Sequence, residues 1–211
     1  MTNQALTYDS MSLSLLAAFL LFAVVMLFTP GPNNIMLMTS GLNFGFARTL
    51  PHMLGVSIGF GLMVFLLGIG LGAAFQIYPA LYVVLRYAGT AYLLYLAWSI
   101  GTSGKVEAGK KKSRPLTFLE GVAFQWINAK GWIIALGGIT TYAALTSFPR
   151  NVILLSVLFA VLGTASSATW AAFGSGLRRF LKDERHVRAF NIVMALLLVA
   201  SLYPVFADAW G

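Results

Sequence analysis

Long apolar runs separated by short polar gaps cover most of the chain. They fall at 13–28, continuing past an interruption to about 46, then at 52–74, 80–100, 118–146, 151–174 and 188–206. A bilayer core about 30 Å thick takes roughly 20 apolar residues per helical crossing, so the pattern predicts an all-α, polytopic membrane protein of six transmembrane helices. Two runs are interrupted: Thr29-Pro30-Gly31-Pro32-Asn33-Asn34 breaks the first, and Gln125 to Gly131 breaks the fourth. Pro30 and Pro32 remove two backbone donors and Gly31 adds freedom, so a regular helix cannot pass. In lipid, the carbonyls left over must be satisfied by protein, water or a ligand.

Residues 101–117 form the one hydrophilic stretch long enough to divide the chain. The expectation is a single transmembrane domain, 1–211, made of a three-helix repeat at 1–100, a basic linker at 101–117 and a second three-helix repeat at 118–211. Three crossings per half invert the second relative to the first, and each half begins with its broken helix. A plainer reading of the first break is a loop ending a short span, since 13–28 gives about 24 Å of helix. Ile35 to Ala47 stays mostly apolar, however, which suits a second half-helix packed against the bundle.

Composition agrees. Hydrophobic residues make up 59% and charged residues 9%, against roughly 25% charged in soluble domains. The net charge of +8 sits mainly in alternate connections: Arg48; Lys105, Lys110, Lys111, Lys112 and Arg114; and Arg178, Arg179, Lys182, Arg185 and Arg188. That asymmetry places these loops in the cytoplasm and both termini outside, and it speaks for membrane lipids, not nucleic acid, as the partner of the basic residues. Cysteine is absent, which excludes disulfides and thiol chemistry. His52 and His186 lie far apart at helix edges and read as solvated, so neither a metal site nor a cofactor is expected. Residues 1–11 hold Asp9 but no Lys or Arg, unlike a secretory leader, so the first run is expected to stay as a span.

The candidate chemistry lies at the breaks. Lys130 in an apolar run costs about 2.5–3.5 kcal/mol at a helix centre and needs a partner or a wet cavity, unless it snorkels to an interface. Facing a pocket, its ammonium would neutralise a substrate carboxylate, with the amides of Asn128 and Gln125 beside it. Asn33 and Asn34 would start a half-helix whose free N–H groups also favour a carboxylate. Pro30, Gly31 and Pro32 complete the substrate-binding set. Glu120 and Lys130 are the candidates for proton coupling, although Glu120 follows the basic linker closely enough to be interfacial. Trp126 and Trp132 flank the second break as possible pocket walls or interface anchors. Gly55 and Gly59 form a small-xxx-small pair that lets helices approach closely.

Three segments resemble the LysE/RhtB family of amino-acid exporters: Thr29-Pro30-Gly31-Pro32, Arg86 to Leu93 and Phe124 to Lys130. The resemblance covers nearly the whole chain. Pro32-Asn33-Asn34, Phe124 to Asn128 and Asn191 to Val199 look most like the cysteine/O-acetylserine exporter branch. Where the family often has Asn-Pro-Lys, Ala129 replaces the proline, so a milder second break is expected. The resemblance implies a bacterial inner-membrane secondary exporter of amino acids or their derivatives, energised by protons. Its partners would be a small amino acid, protons and lipid, with self-association left open.

Two rivals come from other classes. An intramembrane protease needs a serine–histidine pair or two aspartates within the spans, but Asp9 and Asp208 are terminal. A non-transporting scaffold would explain the glycines yet leave Lys130 and the paired breaks without a purpose.

Overall fold

The computed structural model describes residues 2–71, 77, 78, 80–102, 114–181 and 183–202; the side chains of residues 2–12, 71, 81, 82, 86 and 143 lie outside that description. The linker lysines, Lys182, the Arg86 side chain and the ends of the second and last predicted spans therefore fall outside it. The described chain forms helices α1 (Thr2–Phe28), α2 (Pro32–Phe44), α3 (Phe46–Leu66), α4 (Ala80–Gly101), α5 (Phe118–Phe124), α6 (Ala129–Tyr142), α7 (Arg150–Leu177) and α8 (Glu184–Ala200). Phe46–Gly70, Val83–Gly101 and Arg150–Leu177 are each long and apolar enough to cross a bilayer. Leu13–Phe28 and Pro32–Phe44 pass together as one segment bent by 54°. A bend below a right angle keeps the chain advancing in one sense, as a broken span does.

The two remaining predicted spans do not appear as single long helices. Residues 118–146 are divided into α5 and α6, and α8 has 17 residues, about 26 Å at 1.5 Å per residue. Local sequence explains the boundaries. Pro32 occupies the first turn of α2 behind Gly31, where its missing N–H removes no helical bond. Thr117 and Glu120 start α5 with a reciprocal capping box. Asp183 caps α8 by accepting from Arg185 N at 3.1 Å.

Small residues set the packing of α2, α3, α5 and α7. A Cβ placed on Gly41 would lie 2.2 Å from Ala171 O, and one on Gly174 would lie 2.0 Å from Met38 O. Backbone therefore rests on backbone reciprocally where α2 crosses α7. The predicted pair on α3 works in the same way: Gly55 faces Phe118 O and Gly59 faces Val122 Cα of α5. The end of the bundle away from the start of α5 is held differently, by edge-to-face rings. Phe159 stacks on Phe19 and Phe60 with centroids 4.9 and 5.4 Å apart, and Phe19 meets Tyr142 at 5.3 Å. Leu21, Ile58, Val157 and Leu196 point outward along with many other large apolar side chains, a surface suited to lipid rather than water.

Replacing Gly174 by Ala should cost about 1–3 kcal/mol by overpacking and lower the thermal unfolding midpoint of the detergent-solubilised protein. Gly176, two residues on, has open space where a Cβ would go, and Gly176→Ala should leave that midpoint unchanged.

Candidate functional site

Both breaks meet. After Phe28 the chain runs extended through Gly31, at φ −169° and ψ 180°, before α2 begins. The second break is a 3-10 turn, Gln125–Ile127, followed by one extended residue, Asn128, at φ −88° and ψ 99°. It is the tighter of the two and has no proline. Lys130 Nζ donates to Thr29 O at 2.5 Å and lies 3.5 Å from Pro30 O. The lysine of one break thus rests on carbonyls freed by the other, a hundred residues earlier, and neither snorkels nor stands apart.

Side chains of α2 and of α7 also bond carbonyls of the first break. Asn34 Nδ2 donates to Leu27 O and to Thr29 O, both at 2.9 Å, and Ser166 of α7 reaches Leu27 O at 2.8 Å. Asn33 and Gln125 exchange amide hydrogen bonds of 2.9 and 3.2 Å, while Gln125 also donates to Gly121 O at 2.9 Å. Trp132 bridges the second break by donating to Trp126 O at 2.8 Å.

A cavity of about 40 Å³ lies at the junction, lined among others by Gly31, Pro32, Asn33, Asn34, Asn128 and Lys130. Six of the predicted site residues are therefore brought together on its wall. Pro30 and Gln125 are immediate neighbours but do not line it. Asn128 is 2% exposed, and its Oδ1 has no hydrogen-bond partner among the described residues. Gly31 makes the arrangement possible, since a Cβ there would lie 2.7 Å from Lys130 Cδ. The reason is space, because its extended backbone suits any residue.

Some expectations change. Glu120 does not reach Lys130: its carboxylate is held by both guanidinium nitrogens of Arg114 at 2.6 and 2.7 Å and by Thr117 N at 2.7 Å. The tryptophans pack against each other with centroids 6.1 Å apart and do not line the cavity. His52, expected at a solvated helix edge, is instead 1% exposed, because α3 begins at Phe46 and carries it into the bundle. Ser57, Ser166 and Ser167 also line the cavity and escaped the sequence reading. The available signal was Gly163, Ser166 and Ser167 at i, i+3 and i+4, one polar face on an apolar helix.

A bundle of apolar helices, two of them broken and meeting at a small cavity that Asn128 and Lys130 line, has the architecture of broken-helix membrane transporters. More particularly, the chain belongs to the LysE type translocator family, whose model matches residues 24–201. That membership sets it among transporters and not enzymes. It is 36% identical over 204 residues to the cysteine/O-acetylserine efflux proteins of Escherichia coli (strain K12) and Shigella sonnei (strain Ss046), covering 93% of this chain and 100% of each relative. No solved structure matches it.

Gly31→Ala should leave the fold intact, because the atoms it displaces belong to a flexible side chain, but should drive Lys130 off the Thr29 and Pro30 carbonyls. Mass spectrometry after treatment with a water-soluble amine reagent should show Lys130 modified faster in the variant than in the wild type.

Proposed function

We propose that this chain is a secondary active exporter of small neutral amino acids or their derivatives, of the cysteine/O-acetylserine or threonine/homoserine type. It works by alternating access across a bacterial inner membrane and is driven by protons. The observation that carries this reading is Lys130 lying on the carbonyls of Thr29 and Pro30. Both α2 and α6 begin at the same point, and the first-turn N–H groups of each leave partial positive charge there. A substrate carboxylate would draw the ammonium of Lys130 away from the two carbonyls and take it, with the N–H groups of Asn33 and Asn34, as its partners. The released carbonyls and Asn128 Oδ1 would then accept from the substrate ammonium. Each charged end of a zwitterion would thus meet a partner that the exchange releases, Lys130 at one end and the two carbonyls at the other.

Substrate class follows from charge. No Asp or Glu is among the described residues lining the cavity, so a cationic side chain would find no counter-ion among them, whereas a hydroxyl, thiol or ester meets serines. At about 40 Å³ the cavity holds only a few waters, and binding must widen it. In the proposed topology six crossings form two inverted repeats, with the linker in the cytoplasm and both termini outside. Of the two proton-coupling candidates, Lys130 is favoured, since Glu120 is committed to Arg114 away from this cavity.

Counterflow in proteoliposomes tests the proposal. Labelled O-acetylserine, cysteine or threonine should accumulate against an internal unlabelled pool, which a scaffold would not support. Lys130→Ala, inserted at normal levels, should lower the rate on the order of ten- to a hundredfold, the worth of a charge-assisted hydrogen bond. Transport by this variant at the wild-type rate would overturn the central role of the lysine.

A further inference from the structure

A second, larger cavity of about 380 Å³ lies between α2, α3, α4 and the start of α5, and no residue of its wall is shared with the central one. Arg114 and Glu120, paired at 2.6 Å and each part-exposed, belong to that wall, together with Thr39, His52 and Tyr92. His52 is 1% and Thr39 4% exposed. Neither ring nitrogen of His52 nor the Thr39 hydroxyl has a hydrogen-bond partner among the described residues. Buried polar atoms are nearly always paired, with protein, water or ligand. Three such atoms on one roomy cavity, in an apolar bundle where a lone polar group is costly, mark a place that receives polar guests.

We infer that this cavity is a loading site for an amino acid with a polar, uncharged side chain, which binds here before it passes to the breaks. The inference rests on the transport reading above and deepens it. Chemistry orients the guest. The Arg114–Glu120 pair presents one cation and one carboxylate, the complement of a zwitterion's two ends. His52 and Thr39 supply donors and acceptors suited to a side-chain hydroxyl, thiol or ester. Tyr92 adds an aromatic wall between the two ends. An apolar amino acid of the same size would leave His52 and Thr39 unpaired, and a site built to hydrogen-bond a guest rejects such an analogue strongly. The loading site, more than the central one, would then set the preference for polar side chains.

Equilibrium binding of labelled O-acetyl-L-serine to the full chain in lipid nanodiscs tests this. Lys130→Ala protein, with its central site disabled, should still bind the label, and unlabelled L-serine should compete far better than L-alanine. Adding Thr39→Val or His52→Gln to Lys130→Ala should weaken that residual binding about tenfold, the worth of one or two hydrogen bonds. Thr39→Val conserves shape, so it tests the hydroxyl even where a change at His52 disturbs folding, and unfolding midpoints equal to that of Lys130→Ala confirm the comparison. If Lys130→Ala protein binds no label, or if the added substitutions leave its binding unchanged, the loading site is overturned while the central reading stands. Wild-type transport by Lys130→Ala would sink the central reading without touching the binding result.

Discussion

A helix interrupted inside a membrane leaves carbonyl oxygens that water cannot reach, and the molecule is organised around satisfying them. Pro30 and Pro32 remove the donors that would have closed the ladder at the end of α1. The carbonyls of Leu27 and Thr29, left outside the ladder at this break, accept side-chain bonds from three places in the sequence: Asn34 from the next helix, Ser166 from α7 and Lys130 from the partner break. Of these only the lysine carries charge, and only it comes from the partner break. It ties the two breaks together, and its stem lies across Gly31, where the missing Cβ leaves room for it. A cation that stabilises a break by lying on carbonyls is also one that an anion can recruit. The contact that closes the site is therefore the one a carboxylate would open.

The rest of the bundle divides into two kinds of packing. Toward the start of α5, Gly41 and Gly174 on one crossing and Gly55 and Gly59 on the other let main chains touch, so α7 and α5 lie close on α2 and α3. At the opposite end Phe19, Phe60, Tyr142 and Phe159 interlock as rings. Backbone-on-backbone contacts have no rotamers to rearrange and suit sliding or rigid-body motion. Ring clusters must repack to part.

Much of this was legible in the sequence, and the exceptions have definite causes. Proline removes a donor wherever it stands, so the first break could be read from Pro30 and Pro32 alone. The second break carries no proline, yet its position followed from Gln125, Asn128 and Lys130, three polar residues that a continuous apolar helix would have to bury. Lys130 was legible as a pocket residue, but its partner was not, since a contact with Thr29 O depends on how the halves dock. Glu120 was ambiguous for a related reason: it stands in the first turn of the helix that leads to the second break, and only the fold shows that Arg114 holds it away from the central cavity. His52 was misplaced because Pro51 suggests a helix start, whereas α3 tolerates that proline in its second turn and begins at Phe46. The serines were missed because a hydroxyl in an apolar helix usually bonds its own backbone, as Ser57 does to Met53 O at 2.9 Å. Only tertiary packing sets it beside Ser167, 3.2 Å away.

Between the two cavities stands the Asn33–Gln125 amide pair. α2 lines the central cavity with Pro32 to Asn34 and the larger one from Met36 onward, while α5 offers Glu120 to the larger cavity and is followed by Gln125, which bonds Asn33 of the central one. The choice of amides at this junction has an energetic logic. A buried ion pair would cost several kcal/mol to separate, because each charge would be left in a medium of low dielectric. Two neutral amide hydrogen bonds contribute about 0.5–1.5 kcal/mol each, and either partner can turn to a water or a substrate amide-sized group with little net loss. In the proposed cycle, a boundary that opens repeatedly would be better built from such bonds than from charges. The charged groups, Lys130 on one side and Arg114 with Glu120 on the other, are kept where a zwitterion would replace what they lose.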